Sequence, residues 1–250
     1  MKLYKVIEIL ENFAPKDLAF ERDNVGLMVG DPDSEIKKAV VSLDVSNAAI
    51  DYAVNNGCDL IVSHHPFIFA LGKNMDLSDK LNKKIAKLIK NDISVYSMHT
   101  NFDSCFGGIN DVLCEKLGLI NYKPQAPEIT RTGELDKEIT LREFIALVKE
   151  KIAVNSVEYY GDLDKKIKKV TICSGGGADA IKYAADSDVF FTGELKYHKF
   201  EEISNMNIAA VAAGHFETEN IAMYVIRDLL KNAGLAVDDN QIHNGFYNIM

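Results

Sequence analysis

Short apolar runs alternate with helical patterns along nearly the whole chain, and this alternation constrains the fold more than any other feature. Leu3, Val6, Ile7, Leu10 and Phe13 recur at helical spacing and stop before Pro15. Val25 to Val29 and Ala39 to Val45 then read as strands, and Ser46 is a good N-cap for a helix over Ala48 to Asn55 that Gly57 closes. Asp59-Leu-Ile-Val62 reads as a buried strand. A helix over Asp79 to Lys90, a strand over Ile93 to Met98 and a helix from about Ile109 to Leu117 follow. Alternating strands and helices predict an α/β fold whose sheet is mostly parallel, with helices on its faces.

The stretch from Asn121 to Glu138 holds two of the five prolines and no periodicity, which marks it as the expected boundary between two lobes. The same grammar then restarts. Thr140-Leu-Arg-Glu143 is a capping box that opens a helix to about Ile152. Strands at Val157 to Tyr160 and Lys169 to Cys173 precede a helix over Ala178 to Ala185. Strand Val189 to Thr192, helix Lys196 to Ser204, strand Ile208 to Ala213 and a helix from about Thr218 to Lys231 complete the series. The expected division is a first α/β lobe over 1–125, completed by 213–250, and a second over 126–212.

Composition narrows the function classes. Lys and Arg number 28 against 37 Asp and Glu, a formal charge of −9, which is the wrong mean field for general nucleic-acid binding or for an anionic membrane surface. Four cysteines (Cys58, Cys105, Cys114, Cys173) lie far apart with no CxxC pair, so neither a disulfide scaffold nor a thiolate zinc site is expected, and a reducing, cytoplasmic setting is. Glu8 and Glu11 interrupt any N-terminal signal-like run, and no apolar stretch approaches a membrane span.

The imidazoles and carboxylates gather just past the carboxyl ends of the apolar strands. Ser63-His64-His65-Pro66 follows one strand, His99-Thr-Asn-Phe-Asp103 the next, Gly193-Glu194 with His198 a third, and Gly214-His215 to Glu219 a fourth. In an open α/β sheet these ends line the usual ligand crevice. Pro66 favours an extended His65, which turns successive rings to opposite sides and suits two ions better than one. His215 and Glu219 share a face if a helix begins by residue 215, and Asp103 completes a set of three histidines and two carboxylates. That nitrogen and oxygen set suits Zn, Mn, Fe, Co or Ni. Glu194 and His198 also share a face if their helix starts at 194, and with His99 they are the candidate proton-transfer groups.

Several of these residues have plainer readings. His198 and His243 taken alone read as structural. Asp44 reads chiefly as a carboxylate at a helix N-terminus. Ser174-Gly-Gly-Gly177 opens a helix and suits either an anion or a tight turn, and Asp23-Asn24 is ordinary turn chemistry that could also contact a ligand.

Asp23-Asn-Val-Gly-Leu-Met-Val-Gly30, Ser63-His-His-Pro66, His99-Thr-Asn-Phe-Asp103, Thr192-Gly-Glu194 with His198, and Gly214-His215 to Glu219 together resemble the NGG-interacting-factor-three-like family. Its members are also called GTP cyclohydrolase I type 2 homologues or dinuclear-metal-centre hexameric proteins. The resemblance runs in order along the chain. It implies two related α/β lobes with mostly parallel sheets and a dinuclear metal site in the cleft between them. His64, His65, Asp103, His215 and Glu219 would bind two divalent ions, with Glu219 as the bridge, in a toroidal homohexamer. Arg22 stands where an aromatic residue commonly precedes the Asp-Asn pair, which bears on substrate shape or packing rather than on the metals. The implied activity is hydrolysis of a nucleotide-like ring, of the GTP cyclohydrolase kind. A two-metal phosphoesterase and a non-catalytic metal-handling or scaffold protein are the alternatives.

Overall fold

The computed structural model describes residues 1–70, 72–125 and 129–238, so His243 lies outside the described residues. The chain divides into two compact units: Met1–Cys105 with the segment that begins at Met223, and Phe106–Ala222.

The first unit opens with helix α1 (Leu3–Phe13), which buries Leu3, Val6 and Leu10 and is followed by Pro15. Strands β1 (Gly26–Val29) and β2 (Lys38–Ser42) lead to helix α2 (Asn47–Asn55), whose first turn is capped by Ser46 Oγ accepting from the Ala49 amide at 3.1 Å. Gly57 then turns the chain at φ +63°, a conformation that would strain a residue with a Cβ. Strand β3 (Leu60–Ser63), helix α3 (Lys80–Lys90, capped by Asp79), strand β4 (Ser94–Ser97) and the short helix α4 (Thr100–Ser104) follow.

In the second unit helix α5 (Ile109–Lys116) precedes strands β5 (Leu119–Gln125) and β6 (Thr130–Thr140). These pair antiparallel, so the described part of the stretch expected as the lobe boundary lies in a pair of strands within a sheet. Most polar residues of β5 and of the later half of β6 are exposed, whereas Thr130, Arg131 and Thr132 at the start of β6 are buried. The capping box of Thr140 and Glu143 opens helix α6 (Leu141–Ile152). Strands β7 (Glu158–Tyr160) and β8 (Lys166–Cys173), a 3-10 helix over Gly177–Ala184, strand β9 (Val189–Thr192), helix α7 (Tyr197–Met206), strand β10 (Ala209–Ala212) and helix α8 (His215–Asn220) complete it. Helix α9 (Met223–Asn232) and strand β11 (Ala236–Val237) return to the first unit, where Asp238 meets the Tyr52 hydroxyl at 2.8 Å and Lys38 Nζ at 2.8 Å.

The first sheet has the order β1-β4-β3-β2-β11 and is parallel except for its β1 edge. The second, β5-β6-β8-β9-β10-β7, is mixed: β6, β8 and β7 bring antiparallel pairings, and only β8-β9-β10 is a parallel core. Each parallel core has a register that decides where the chemistry falls. Ser42 pairs with Ser63 and Ser63 with Ser97, so the residues two further on, Asp44, His65 and His99, leave the sheet side by side. In the second sheet Cys173 pairs with Thr192 and Thr192 with Ala212, which brings out Gly175, Glu194 and Gly214 in the same way. Leu60, Ile61 and Val62 of β3 are wholly buried, each stabilising this platform by roughly 1.5–3 kcal/mol relative to exposure.

Candidate metal centre

In the first unit three imidazoles converge. The rings of His64 and His65 lie 5.1 Å apart, His64 and His99 5.1 Å, and His65 and His99 5.8 Å, and one nitrogen from each falls within 4.8 Å of the other two. The divergence expected of His64 and His65 is absent because the chain bends at both residues once β3 ends, before Pro66 can extend it. His64 is wholly buried, and its Nε2 is 3.8 Å from Oδ1 of Asp103 on α4.

The other nitrogen of each ring is held from behind. His64 Nδ1 donates to the Met98 carbonyl at 2.9 Å, His65 Nδ1 to Asp44 Oδ1 at 2.8 Å, and His99 Nδ1 to the Asp23 carboxylate at 2.9 Å. A carbonyl or carboxylate acceptor fixes the proton on Nδ1 and leaves Nε2 with the lone pair, the arrangement that orients an imidazole toward a metal. Burial raises the Asp23 pKa, but hydrogen bonds from His99 and from the hydroxyl and amide of Thr100 outweigh it and hold the group at about 2. Asp23 is therefore charged whenever His99 needs it.

The second unit repeats the device with different residues. Helix α8 begins at His215, so His215 and Glu219 do share a face, with His215 Nε2 3.1 Å from Glu219 Oε2. Glu194 Oε1 stands 3.3 Å from His215 Nδ1 on the far side of the ring. The hydrogen bond with Glu219 raises the His215 pKa, burial opposes it, and the charges of Glu219 and Glu194 carry it to about 9. Gly175, at φ +55°, makes room for this pair, since a methyl there would overlap Glu219 Oε1 and sit 3.1 Å from His215 Nε2. Two amides of the glycine turn are taken up within the protein: Ser174 N–H donates to Asn110 Oδ1 at 2.8 Å and Gly175 N–H to Thr218 Oγ1 at 3.1 Å. Of the plain and ligand-binding readings of this turn, the structure supports the tight turn.

Glu194 and His198 are not on one helix face, because α7 starts at Tyr197 and Glu194 lies ahead of it. His198 is exposed on the first turn of α7. The two carboxylates most easily missed in the sequence are Asp44 and Asp23. Each reads locally as a cap or turn residue, and its partner lies 21 or 76 positions away.

The donors present fit a divalent cation. They are imidazole nitrogens in a fixed tautomer and carboxylate oxygens, and the four cysteines are buried and unlinked. No helix among the described residues is long and apolar enough to cross a membrane.

A family model described as Duf34/NIF3 (NGG1p interacting factor 3) matches residues 1–244. A Clostridium perfringens protein named GTP cyclohydrolase 1 type 2 homolog is 40% identical over 228 residues, spanning 88% of this chain and 87% of that one. Among solved structures, reduced HcgD from Methanocaldococcus jannaschii aligns with a TM-score of 0.84 and 35% identity, covering 95% of this chain and 96% of that one. A Bacillus cereus protein related to NIF3 aligns with a TM-score of 0.92 over 100% and 99% of the two chains at 22% identity, a likeness of fold.

Proposed function

The chain belongs to the Duf34/NIF3 family, and from that premise we propose that it is a metal-dependent hydrolase with a dinuclear centre, acting on a nucleotide-like ring as a GTP cyclohydrolase does. The observation that supports this reading best is the common treatment of four imidazoles. His64, His65, His99 and His215 each have Nδ1 against an oxygen acceptor, which orients Nε2 of His64, His65 and His215 for ligation and leaves that of His99 for proton transfer. In this reading His64, His65, Asp103, His215 and Glu219 would hold two ions among Zn, Mn, Fe, Co and Ni. Such a pair supplies Lewis acidity and draws the pKa of water down toward neutrality.

The chain's own groups supply the rest. Asp44 and Glu194 keep His65 and His215 in position. Asp23 keeps the His99 proton on Nδ1, so His99 Nε2 can accept a proton from a substrate atom and return it. His198, exposed on α7, and Glu194, which reaches solvent beside His215, are the further candidates for proton transfer. Assembly into a hexamer belongs to the same proposal. It is supported by Phe106 and Tyr197, which leave 86% and 93% of their surface uncovered in the second unit, more than aromatic side chains of a solitary chain commonly expose.

Incubating the metal-loaded protein with GTP tests the reading, with formate as the product to be measured. Release of formate with the triphosphate intact is the expected result. Phosphate release without formate would instead indicate the two-metal phosphoesterase, and no turnover with either a nucleotide or a phosphodiester panel would indicate a metal-handling or scaffold role.

A further inference from the structure

A cavity of about 570 Å³ in the first unit runs from the imidazole cluster to helix α3, and His65 and Asp44 form one end of its lining. The charged residues at the other end are all basic. Lys80, Lys83 and Lys84 line it, and α3 carries five lysines and no acidic residue in a chain whose formal charge is −9. Elsewhere on α3, Lys87 pairs with Asp51. Lys84 is half-buried and donates to the Val45 carbonyl at 3.0 Å, which fixes its charge at the cavity edge. Lys80 and Lys83 have no carboxylate partner among the described residues.

Helix α2 opens onto the same space, since Ser46 and Asn47 are also part of the lining. Ser46 Oγ takes up the Ala49 amide, while the amides of Asn47 and Ala48 have no acceptor within the helix. Positive helix-end potential therefore adds to the lysine charges. Asp44 is the single carboxylate in this lining, and its charge is engaged by His65 Nδ1 at 2.8 Å. This lysine-lined space is concave, of small-molecule size, and ends on a candidate metal ligand.

We propose that this cavity is a phosphate subsite: Lys80, Lys83 and Lys84 with the N-terminus of α2 bind the phosphate groups of a phosphorylated small molecule, directing its remainder toward His65. The phosphate subsite rests on the metal-centre reading only for what lies at the His65 end. It narrows the substrate class to molecules that carry phosphate groups some distance from the reacting ring, and it assigns those phosphates a binding role rather than a reacting one.

Inorganic pyrophosphate is a suitable probe because it has no ring to be hydrolysed. Calorimetric titration of the as-purified full chain with pyrophosphate is compared with the Lys80→Ala, Lys83→Ala double variant and with Lys90→Ala, metal content being measured in each. Lys90 lies on the same helix outside the cavity, so Lys90→Ala controls for general loss of charge. The expected result is binding that weakens with added salt, is about tenfold weaker in the double variant, and is unchanged in Lys90→Ala, at equal metal content. The Lys80→Arg, Lys83→Arg variant should bind as the wild type does. Equal affinity in the double variant, or no binding by the wild type, would overturn the proposal. Lysine-dependent binding together with no formate from GTP would leave the subsite standing and sink only the ring-hydrolase reading.

Discussion

His215 shows how much of the chemistry is decided at single residues. Held between Glu219 and Glu194, its pKa is raised to about 9, so in the metal-free protein it carries a proton at neutral pH. A metal ion needs the neutral imidazole and must displace that proton. Metal uptake at pH 7.5 is therefore expected to release close to one proton from this residue, and apparent affinity should rise about tenfold per pH unit up to about 9. Calorimetry in two buffers of different ionisation enthalpy measures this, and identical heats in both would contradict it. The sign for the metal-free fold is opposite. A folded pKa above the usual value near 6.5 contributes stability that is complete below 6.5 and is lost as pH rises through about 9.

Elements were largely legible in the sequence because their signals are local. Ser46 and Thr140 cap the helices expected of them, and the apolar runs become buried strands. Clustering of chemistry past strand ends was legible for the same reason. What local pattern could not supply was register, which depends on residues far apart in the chain. It is register that sets Asp44 beside His65 and His99, and Gly175 and Glu194 beside Gly214. The β5-β6 pair escaped because its exposed positions follow no strand alternation, and a polar, proline-bearing run reads as a lobe boundary. The turn after β8 offers a test at this scale. Gly175→Ala places a methyl against Glu219 and His215 at positive φ, so it should cost about 1–2 kcal/mol of stability while removing at least one metal ion per chain. Thermal unfolding with elemental analysis checks both. Wild-type metal content in the folded variant would show that Glu219 is not held for an ion.

For the molecule as a whole, the two units use one construction. Three parallel strands end in register, and the residues just beyond them carry imidazole and carboxylate groups supported by oxygen acceptors. In each unit imidazole and carboxylate groups lie together, His64, His65 and Asp103 in the first and His215 and Glu219 in the second. The carboxylates would offset the repulsion between two closely held cations, and the oriented imidazoles would complete their coordination. Metal stoichiometry of the purified chain is the most direct test. Elemental analysis should find close to two divalent ions per wild-type chain and a clear deficit in both the His64→Ala, His65→Ala double variant and Glu219→Gln. Full metal content in the folded double variant would contradict the account.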